Sequence, residues 1–167
     1  MVLVELFAGL LTASFVAQDL NLPVTATYFS ETEAAALKVA SVQFPEAKCL
    51  GAVQEITKDT ASDIVAAHPG ALFCIVGGPP CQDVSKLNPS RAGAEGSKSG
   101  LRAHFQRVYN LFTCLAPDST FGLMECTQMS PKDRSYYDQV FGSPPFLLCS
   151  TLLAGNTSQT LVVLSLP

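Results

Sequence analysis

The sequence is organised around the stretch Ala71-Leu72-Phe73-Cys74-Ile75-Val76-Gly77-Gly78-Pro79-Pro80-Cys81-Gln82. Residues 71–76 form an uninterrupted apolar run, which is typical of a fully buried strand in a parallel sheet. The glycines and prolines that follow predict a stiff loop, because glycine permits close backbone approach and proline fixes φ. Ligand sites of α/β proteins lie at the carboxyl ends of such strands, so we expect Cys81 to lie at a sheet edge. An ordinary turn that carries a small apolar residue is the alternative interpretation.

Strands and helices are predicted to alternate on both sides of this stretch. The hydrophobic patterns predict strands at 2–7, 24–29, 48–53, 71–76 and 121–124, helices at 10–20, 32–44, 60–67, 101–115 and 136–141, and a closing β-hairpin of 146–153 and 161–166. The predicted apolar face of the first helix consists of Leu10, Leu11, Phe15, Val16 and Leu20. Five β/α units and a hairpin indicate one α/β domain, residues 1–167, with a mostly parallel sheet.

Composition excludes several classes of protein. The 167 residues are 48% apolar and 14% charged, which is typical of a globular chain and not of a disordered one. No apolar run approaches the roughly 20 residues that span a bilayer, and Glu5 interrupts the apolar start, which argues against a secretory signal. The cysteines are scattered without a CxxC pair, so we expect neither a metal site nor a disulfide framework. A reducing compartment, the nucleus or the cytoplasm, is therefore expected.

Charge is distributed unevenly along the chain, whose net charge is −4. Residues 1–83 contain three basic and nine acidic side chains, whereas residues 86–107 contain one acidic residue, Glu95, and several basic ones. The basic residues of this second segment are Lys86, Arg91, Lys98, Arg102 and Arg107. A positive segment directly after Cys81 indicates either a phosphate-contacting patch or a solvated surface segment.

Four residues follow or end predicted strands and are expected to share one edge of the sheet. Gly9 follows the first strand, Glu31 ends the second, Cys81 follows the fourth, and Glu125 ends the fifth. A strand, a glycine turn and a helix N-terminus suit a nucleotide-like cofactor, and Glu31 could accept hydrogen bonds from ribose hydroxyls. The alternative role of Glu31 is a favourable charge at a helix N-terminus. Cys81 and Glu125 together suggest covalent catalysis with acid assistance.

Three pieces of the sequence resemble the DNA cytosine-5 methyltransferases in order and spacing. They are Leu6-Phe7-Ala8-Gly9, Gly78-Pro79-Pro80-Cys81-Gln82 and Met124-Glu125. The flanking segments are most similar to the de novo, DNMT3-type branch and its plant relatives: Asp83-Val84-Ser85, Asn88-Pro89-Ser90-Arg91 and Gly93-Ala94-Glu95-Gly96. The resemblance covers nearly the whole chain, and it implies a Rossmann-like S-adenosylmethionine-dependent methyltransferase fold.

The resemblance also implies roles for individual residues. The Cys81 thiolate would attack C6 of a cytosine flipped out of DNA, and Glu125 would hold or protonate N3. The residues expected to contact S-adenosyl-L-methionine are Phe7, Ala8, Gly9, Thr12, Glu31, Thr32, Pro79 and Leu101. The residues expected to contact DNA are Gln82, Ser85, Lys86, Arg91 and Lys98.

The chain departs from the pattern of this family at several positions. Ala52 stands where an acidic residue usually binds the adenine amino group, and Cys126-Thr127 follows Glu125 in place of Asn-Val. The segment 156–160 lacks the family's base-holding arginine, and no target-recognition region follows it. Two alternatives therefore stay open: a catalytically impaired regulatory or binding module, and cytosine-5 methylation of RNA. We also expect a partner chain or a homo-oligomer to complete the site.

Overall fold

Strands and helices alternate through the part of the chain that the structure describes. This computed structural model describes residues 1–83, 85, 88–90, 92, 100–127, 129–135, 146–149 and 160–166. The elements are β1 (Val2–Leu6), α1 (Thr12–Asp19), β2 (Ala26–Ser30), α2 (Ala34–Gln43), β3 (Lys48–Cys49), α3 (Lys58–Ala67), β4 (Phe73–Gly77), α4 (Leu101–Leu115), β5 (Thr120–Thr127), β6 (Phe146–Cys149) and β7 (Thr160–Leu166). Short 3₁₀ turns occupy Val53–Glu55 and Pro117–Ser119. A further short helix spans 131–135, and the helix predicted at 136–141 lies outside the described residues.

The sheet is mostly parallel and follows the strand order β3-β2-β1-β4-β5-β7-β6. β1 pairs in parallel with β2 and with β4, and β2 pairs in parallel with β3. β6 and β7 pair antiparallel, with Phe146 opposite Val163, so the closing hairpin is confirmed. Its predicted turn lies outside the described residues. The α/β fold class with a mostly parallel sheet is likewise confirmed.

The chain divides into two compact units. The first unit contains Met1–Gly77 and His104–Gly122, and the second contains Gly78–Ala103 and Leu123–Pro167. The interpretation of residues 1–167 as one catalytic-type domain without a target-recognition domain stays a prediction.

Strand β1 lies at the centre of the first unit's core. All of its residues are buried, because parallel pairing on both sides leaves no strand edge to solvent. Phe73 of β4 and Phe112 of α4 pack with their ring centroids 5.6 Å apart. The largest fully buried side chains of this unit are Phe73, Phe105, Phe112, Leu6, Leu11, Ile56, Ile75, Val2 and Val4. Burying each such side chain contributes about 1.5–3 kcal/mol, so this cluster supplies much of the driving force for folding.

The predicted apolar face of the first helix is wrong, except at Leu11, which is fully buried. The other predicted core residues are exposed: Leu10 by 54%, Phe15 by 37%, Val16 by 49% and Leu20 by 64%. The residues that α1 buries are instead Ser14 and Ala17. Ser14 faces β1, where its hydroxyl donates a hydrogen bond to the Glu5 carboxylate, and Ala17 lies on the same face one turn later. The smaller side chains of α1 therefore face the sheet.

Helix α4 and strand β5 differ in how well their observed bounds agree with the predicted ones. Helix α4 has the predicted bounds, Leu101–Leu115, and it buries Phe105, Val108 and Phe112 as expected. Strand β5 is longer than predicted, so Glu125 lies within the strand and not after its end. No helix among the described residues is long and apolar enough to cross a membrane.

Candidate active site

The carboxyl ends of β1, β2 and β4 lie at one level of the sheet. Leu6 of β1 is in register with Ser30 of β2 and with Gly77 of β4. The strand order reverses between β1 and β4, and open α/β sheets bind ligands in the crevice outside such a reversal. Gly77 permits a close approach there, since a Cβ atom would lie 2.5 Å from the Leu6 carbonyl oxygen. The predicted site loops therefore start where the fold favours a ligand.

The turn between β1 and α1 has an unusual backbone. Phe7, Gly9 and Leu11 all have positive φ angles, of 54°, 53° and 59°. Only glycine adopts this region without strain, and each of the other two residues pays about 1 kcal/mol or more. Strained backbone of this kind clusters at functional sites, so the turn is a candidate ligand loop.

Glu31 lies against this turn. Its Oε2 accepts a hydrogen bond from the Gly9 N–H at 2.7 Å, so the structure brings these two predicted residues together. Its Oε1 accepts from the backbone of Thr32 at 2.7 Å and of Glu33 at 2.8 Å. Burial alone would raise the pKa of Glu31, but the N–H groups of Glu33, Thr32 and Gly9 outweigh it and lower the pKa. Glu31 is therefore held as an anion close to the glycine turn.

The other predicted cofactor residues of the first unit differ in exposure. Ala8 is buried, and its N–H donates to the Ser30 carbonyl oxygen at 3.0 Å. Phe7 is half-buried, whereas Thr12, the first residue of α1, and Thr32 are exposed. The turn is thus tied to β2 by its backbone and leaves both threonine side chains accessible.

Glu5 is a site residue that the sequence reasoning missed. It is buried in β1, and its carboxylate accepts from Ala13 N–H at 2.9 Å and from the Ser14 hydroxyl at 2.9 Å. Burial raises the pKa of Glu5, although the hydrogen bonds from Ala13 and Ser14 act in the opposite direction. The Glu5 carboxylate therefore binds the free N–H groups at the N-terminus of α1, where the N-cap residue, Leu11, has no side chain that could accept a hydrogen bond. A glutamate inside an otherwise apolar strand was the available signal.

Cys81 lies in the second unit, in the loop that follows β4. It is partly exposed, and its carbonyl oxygen accepts a hydrogen bond from the Ser85 N–H at 2.9 Å. Pro79 is buried, and Leu101 is half-buried at the start of α4. The loop therefore leaves Cys81 partly exposed, while its backbone is held in a turn.

Glu125 contacts the beginning of the same loop. A Cβ atom added at Gly78 would lie 3.0 Å from Oε2 of Glu125, so glycine is what allows the carboxyl group to approach the chain this closely. Burial raises the pKa of Glu125 above its ordinary value of 4.5. The structure thus joins Glu125 to the loop of Cys81 through Gly78, three residues before the cysteine.

The predicted DNA-contacting residues are described only in part. Gln82 is exposed, whereas Ser85 is buried and belongs to the turn after Cys81. Lys86, Arg91 and Lys98 lie outside the described residues. Their contact with DNA stays a prediction.

The two basic residues of the positive segment that lie on α4, Arg102 and Arg107, are placed within the protein and not in a solvated patch. Arg102 is 7% exposed, so it does not belong to a solvated patch. Arg107 donates hydrogen bonds to the carbonyl oxygens of Ile56, at 2.5 Å, and Val53, at 2.7 Å. Arg107 therefore ties α4 to the segment after β3. One turn earlier, the buried Nδ1 atom of His104 has no hydrogen-bond partner among the described residues, a feature the sequence reasoning did not anticipate.

The segment after β3 carries Ala52 at the position expected to be acidic. The Ala52 N–H donates to Oε2 of the exposed Glu55 at 3.3 Å, which starts the 3₁₀ turn.

No cluster of three or more metal-ligating side chains occurs in the part of the chain that the structure describes. Cys49, Cys74, Cys81, Cys114 and Cys126 are free, and burial raises the pKa of Cys74 to about 12, so that thiol is inert.

The fold and the first unit's site define the Rossmann-like class of α/β proteins. No protein-family profile matches the sequence, and no curated protein gives a significant match. Solved structures do match. A protein described as a DNA modification methyltransferase from an E. coli prophage is 19% identical, with a TM-score of 0.67, over 99% of this chain and 46% of its own. The S. pombe Dnmt2 methyltransferase is 14% identical, with a TM-score of 0.64, over 99% of this chain and 49% of its own.

An RNA methyltransferase from Pyrococcus horikoshii is 12% identical, with a TM-score of 0.55, over 98% of this chain and 72% of its own. The chain thus spans a little less than half the length of the first two proteins. At these identities the likeness establishes the fold, which is the Rossmann-like fold of methyltransferases. The assignment to the DNMT3-type branch stays a prediction.

Proposed function

We propose that this chain is the catalytic part of a DNA cytosine-5 methyltransferase, in which Cys81 forms a covalent adduct with the target base. The observation that carries the proposal is the contact between the loop of Cys81 and Glu125. An accessible thiol follows Gly78 by three residues, and Gly78 approaches a carboxyl group whose pKa is raised by burial. Addition to a pyrimidine ring requires a nucleophile and an acid that can hold a proton on the ring, and here the acid approaches the loop that carries the nucleophile.

The proposed reaction assigns one role to each side chain. The Cys81 thiolate forms a bond to C6 of cytosine, and the electron pair of the C5–C6 double bond moves toward C5. Glu125 donates its proton to N3, or holds it there, and so stabilises the charge that develops on the ring. C5 would then take the methyl group, with the cofactor's neutral thioether as the leaving group. Water accepts the C5 proton, N3 returns its proton to Glu125, and breaking of the S–C6 bond restores the double bond and releases Cys81.

S-Adenosyl-L-methionine would supply the electrophilic methyl group, and the first unit contains residues that fit it. Glu31 has about four acceptor positions, of which three bind backbone N–H groups, so one is free for a ribose hydroxyl. The glycine turn at the end of β1 offers backbone groups to the rest of the cofactor. Phe7, Ala8, Thr12 and Thr32 would line this part of the site, and a contact of Pro79 and Leu101 of the second unit with the cofactor stays a prediction.

DNA is the proposed substrate, and a partner would complete the site. Gln82 and the basic residues Lys86, Arg91 and Lys98 would contact the backbone and the flipped base, whereas the buried Ser85 would act within the turn after Cys81. A second copy or another chain would add recognition surface, because a specific DNA interface buries at least about 1,000 Å² of protein.

Two alternatives lead to different outcomes. A regulatory module that has lost activity is favoured by Ala52, and by Cys126, a buried thiol that is a poor hydrogen-bond donor beside Glu125. RNA could also be the methyl acceptor, through the same chemistry at Cys81. A transfer assay with matched acceptors separates the three.

The experiment measures transfer of a tritiated methyl group from S-adenosyl-L-methionine to three acceptors: a DNA duplex, the same duplex with 5-methylcytosine at every cytosine, and an RNA of the same sequence. We expect labelling of the unmodified duplex alone. Cys81→Ser should lower the rate by at least about a thousandfold, and Glu125→Gln by about a hundredfold.

Cys114→Ser is the matched control, because Cys114 is an exposed thiol on α4 that has no role in the proposed reaction. It should retain full activity. Labelling of RNA in preference to DNA would reassign the substrate. Absence of labelling on all three acceptors, with the cofactor bound, would favour the regulatory module.

A further inference from the structure

We propose that Asn88 is a positioning residue that holds the Cys81 loop in its reactive conformation. This inference rests on the proposed function of Cys81 and adds a residue to which neither the resemblance nor the comparisons assign a role. It concerns the second unit alone.

The side chain of Asn88 forms hydrogen bonds with the backbone both before and after it in the chain. Its side-chain Nδ2 donates to the carbonyl oxygen of Gln82 at 2.7 Å, so it reaches back six residues to the neighbour of the nucleophile. Its Oδ1 accepts from the Ser90 N–H at 3.0 Å. The amide group of one side chain therefore uses both its donor and its acceptor on the backbone, and a carboxylate could replace the acceptor but not the donor.

The backbone continues this connection to Cys81 itself. The Asn88 N–H donates to the Ser85 carbonyl oxygen at 3.1 Å, and the Ser85 N–H donates to the Cys81 carbonyl oxygen at 2.9 Å. Ser85 is buried, so the middle of this chain of hydrogen bonds is protected from water. Side-chain and backbone contacts of Asn88 thus converge on Cys81 and Gln82.

The two sides of Cys81 are restrained in different ways. Before the cysteine, two prolines fix φ and Gly78 contacts Glu125. After it, residues 82–83 and 89–90 form turns, so this part of the loop lacks the repeating hydrogen bonds of a helix or strand. Asn88 adds a side-chain restraint on this side, and a nucleophile misplaced by about 1 Å loses on the order of a hundredfold in rate.

The test uses the chain's own cysteines as probes. Each thiol of the full chain is alkylated with iodoacetamide, and its rate is followed by peptide mass spectrometry in the parent, Asn88→Ala and Asn88→Asp. Asn88→Asp retains the acceptor for Ser90 and loses the donor to Gln82. Exposed Cys49 and Cys114 serve as reference thiols, and buried Cys74 reports on the fold. Asn110→Ala, an exposed asparagine on α4, is the matched control.

We expect both Asn88 variants to change the alkylation rate of Cys81 about threefold or more relative to the reference thiols, because the loop is released, while Cys74 stays protected. The kcat for methyl transfer should fall about tenfold to a hundredfold, and the KM for S-adenosyl-L-methionine should change less than about twofold. Asn110→Ala should match the parent in every measurement.

An unchanged Cys81 rate in both variants overturns the inference. Alkylation of Cys74 in both variants also overturns it, because Asn88 would then be needed for the fold and not for the loop. The alkylation measurement requires no turnover. Asn88-dependent labelling in a parent protein that transfers no methyl group would therefore contradict the proposed reaction and leave the positioning role intact.

Discussion

Glu125 is the side chain whose protonation state decides whether the proposed reaction is possible. It lies within β5, against Gly78, and burial raises its pKa above 4.5. A raised pKa favours the protonated carboxyl group, which is the form that can donate to a ring nitrogen. The environment of the residue therefore suits an acid more than a structural anion.

This raised pKa predicts a dependence of stability on pH. The folded chain holds the Glu125 proton at higher pH than the unfolded chain does. Its contribution to folding is therefore fully present below 4.5 and is lost as the pH rises through the raised pKa. Glu125→Gln is neutral throughout and should abolish this loss. Urea unfolding from about pH 4 to pH 7 should show the variant gaining stability relative to the parent as the pH rises.

Glu46→Gln is the control for this series, because Glu46 is exposed and far from β5 in sequence. Curves for the parent and Glu125→Gln that run parallel over the whole range would show that the carboxyl group is not perturbed.

The turn between β1 and α1 is the element in which local geometry and sequence preference conflict most. Leu11 is fully buried and adopts a φ of 59°, which leucine rarely does. Its neighbours in the core are Ala8, Phe29 and Ala40. The apolar contacts of Leu11 therefore hold the backbone of this turn in a strained conformation, directly before the helix that Glu5 caps.

The conflict predicts that glycine is more stabilising than alanine at position 11, the reverse of the usual order in a helix. Leu11→Ala loses the buried side chain, which costs about 2–5 kcal/mol, and retains the strain. Leu11→Gly loses the same side chain but relieves a strain of about 1–2 kcal/mol. We therefore expect the glycine variant to be more stable than the alanine variant by about 0.5–1 kcal/mol, measured by urea unfolding.

Val16, an exposed residue in the middle of α1, is the matched control. There the alanine variant should be the more stable by about 1 kcal/mol, because glycine weakens a helix interior. The same order at both positions would contradict a strained Leu11.

At the scale of the whole molecule, the order of strands and helices could be predicted from the sequence. Apolar runs such as residues 71–76 and the periodic residues of α4 report burial directly, and glycine and proline mark where the elements end. The orientation of α1 could not be predicted in this way. The face that contacts the sheet carries Ser14, whose hydroxyl binds the buried carboxylate of Glu5, and a hydrophobic pattern does not register such a contact.

The candidate site was predictable only where it depends on strand ends. Gly9 and Glu31 end or follow neighbouring parallel strands, and the structure joins them by a hydrogen bond. The hydrogen bonds of Asn88 lie in an irregular turn, so they do not follow from periodicity. Contacts of that kind depend on loop geometry, which residue preferences determine weakly.

The central claim about the whole molecule is that a methyltransferase fold presents Cys81 as a nucleophile toward cytosine. Covalent trapping tests it most directly. A duplex with 5-fluorocytosine at every cytosine is incubated with the full chain and S-adenosyl-L-methionine. In 5-fluorocytosine, fluorine replaces the C5 proton whose loss would release the cysteine. The cysteine adduct should therefore persist and add the mass of the DNA strand to the protein.

We expect this adduct with the parent and with Cys114→Ser, and we expect none with Cys81→Ser. An adduct that forms equally well without the Cys81 thiol, or a parent protein that binds the duplex and the cofactor yet forms no adduct, would contradict the account.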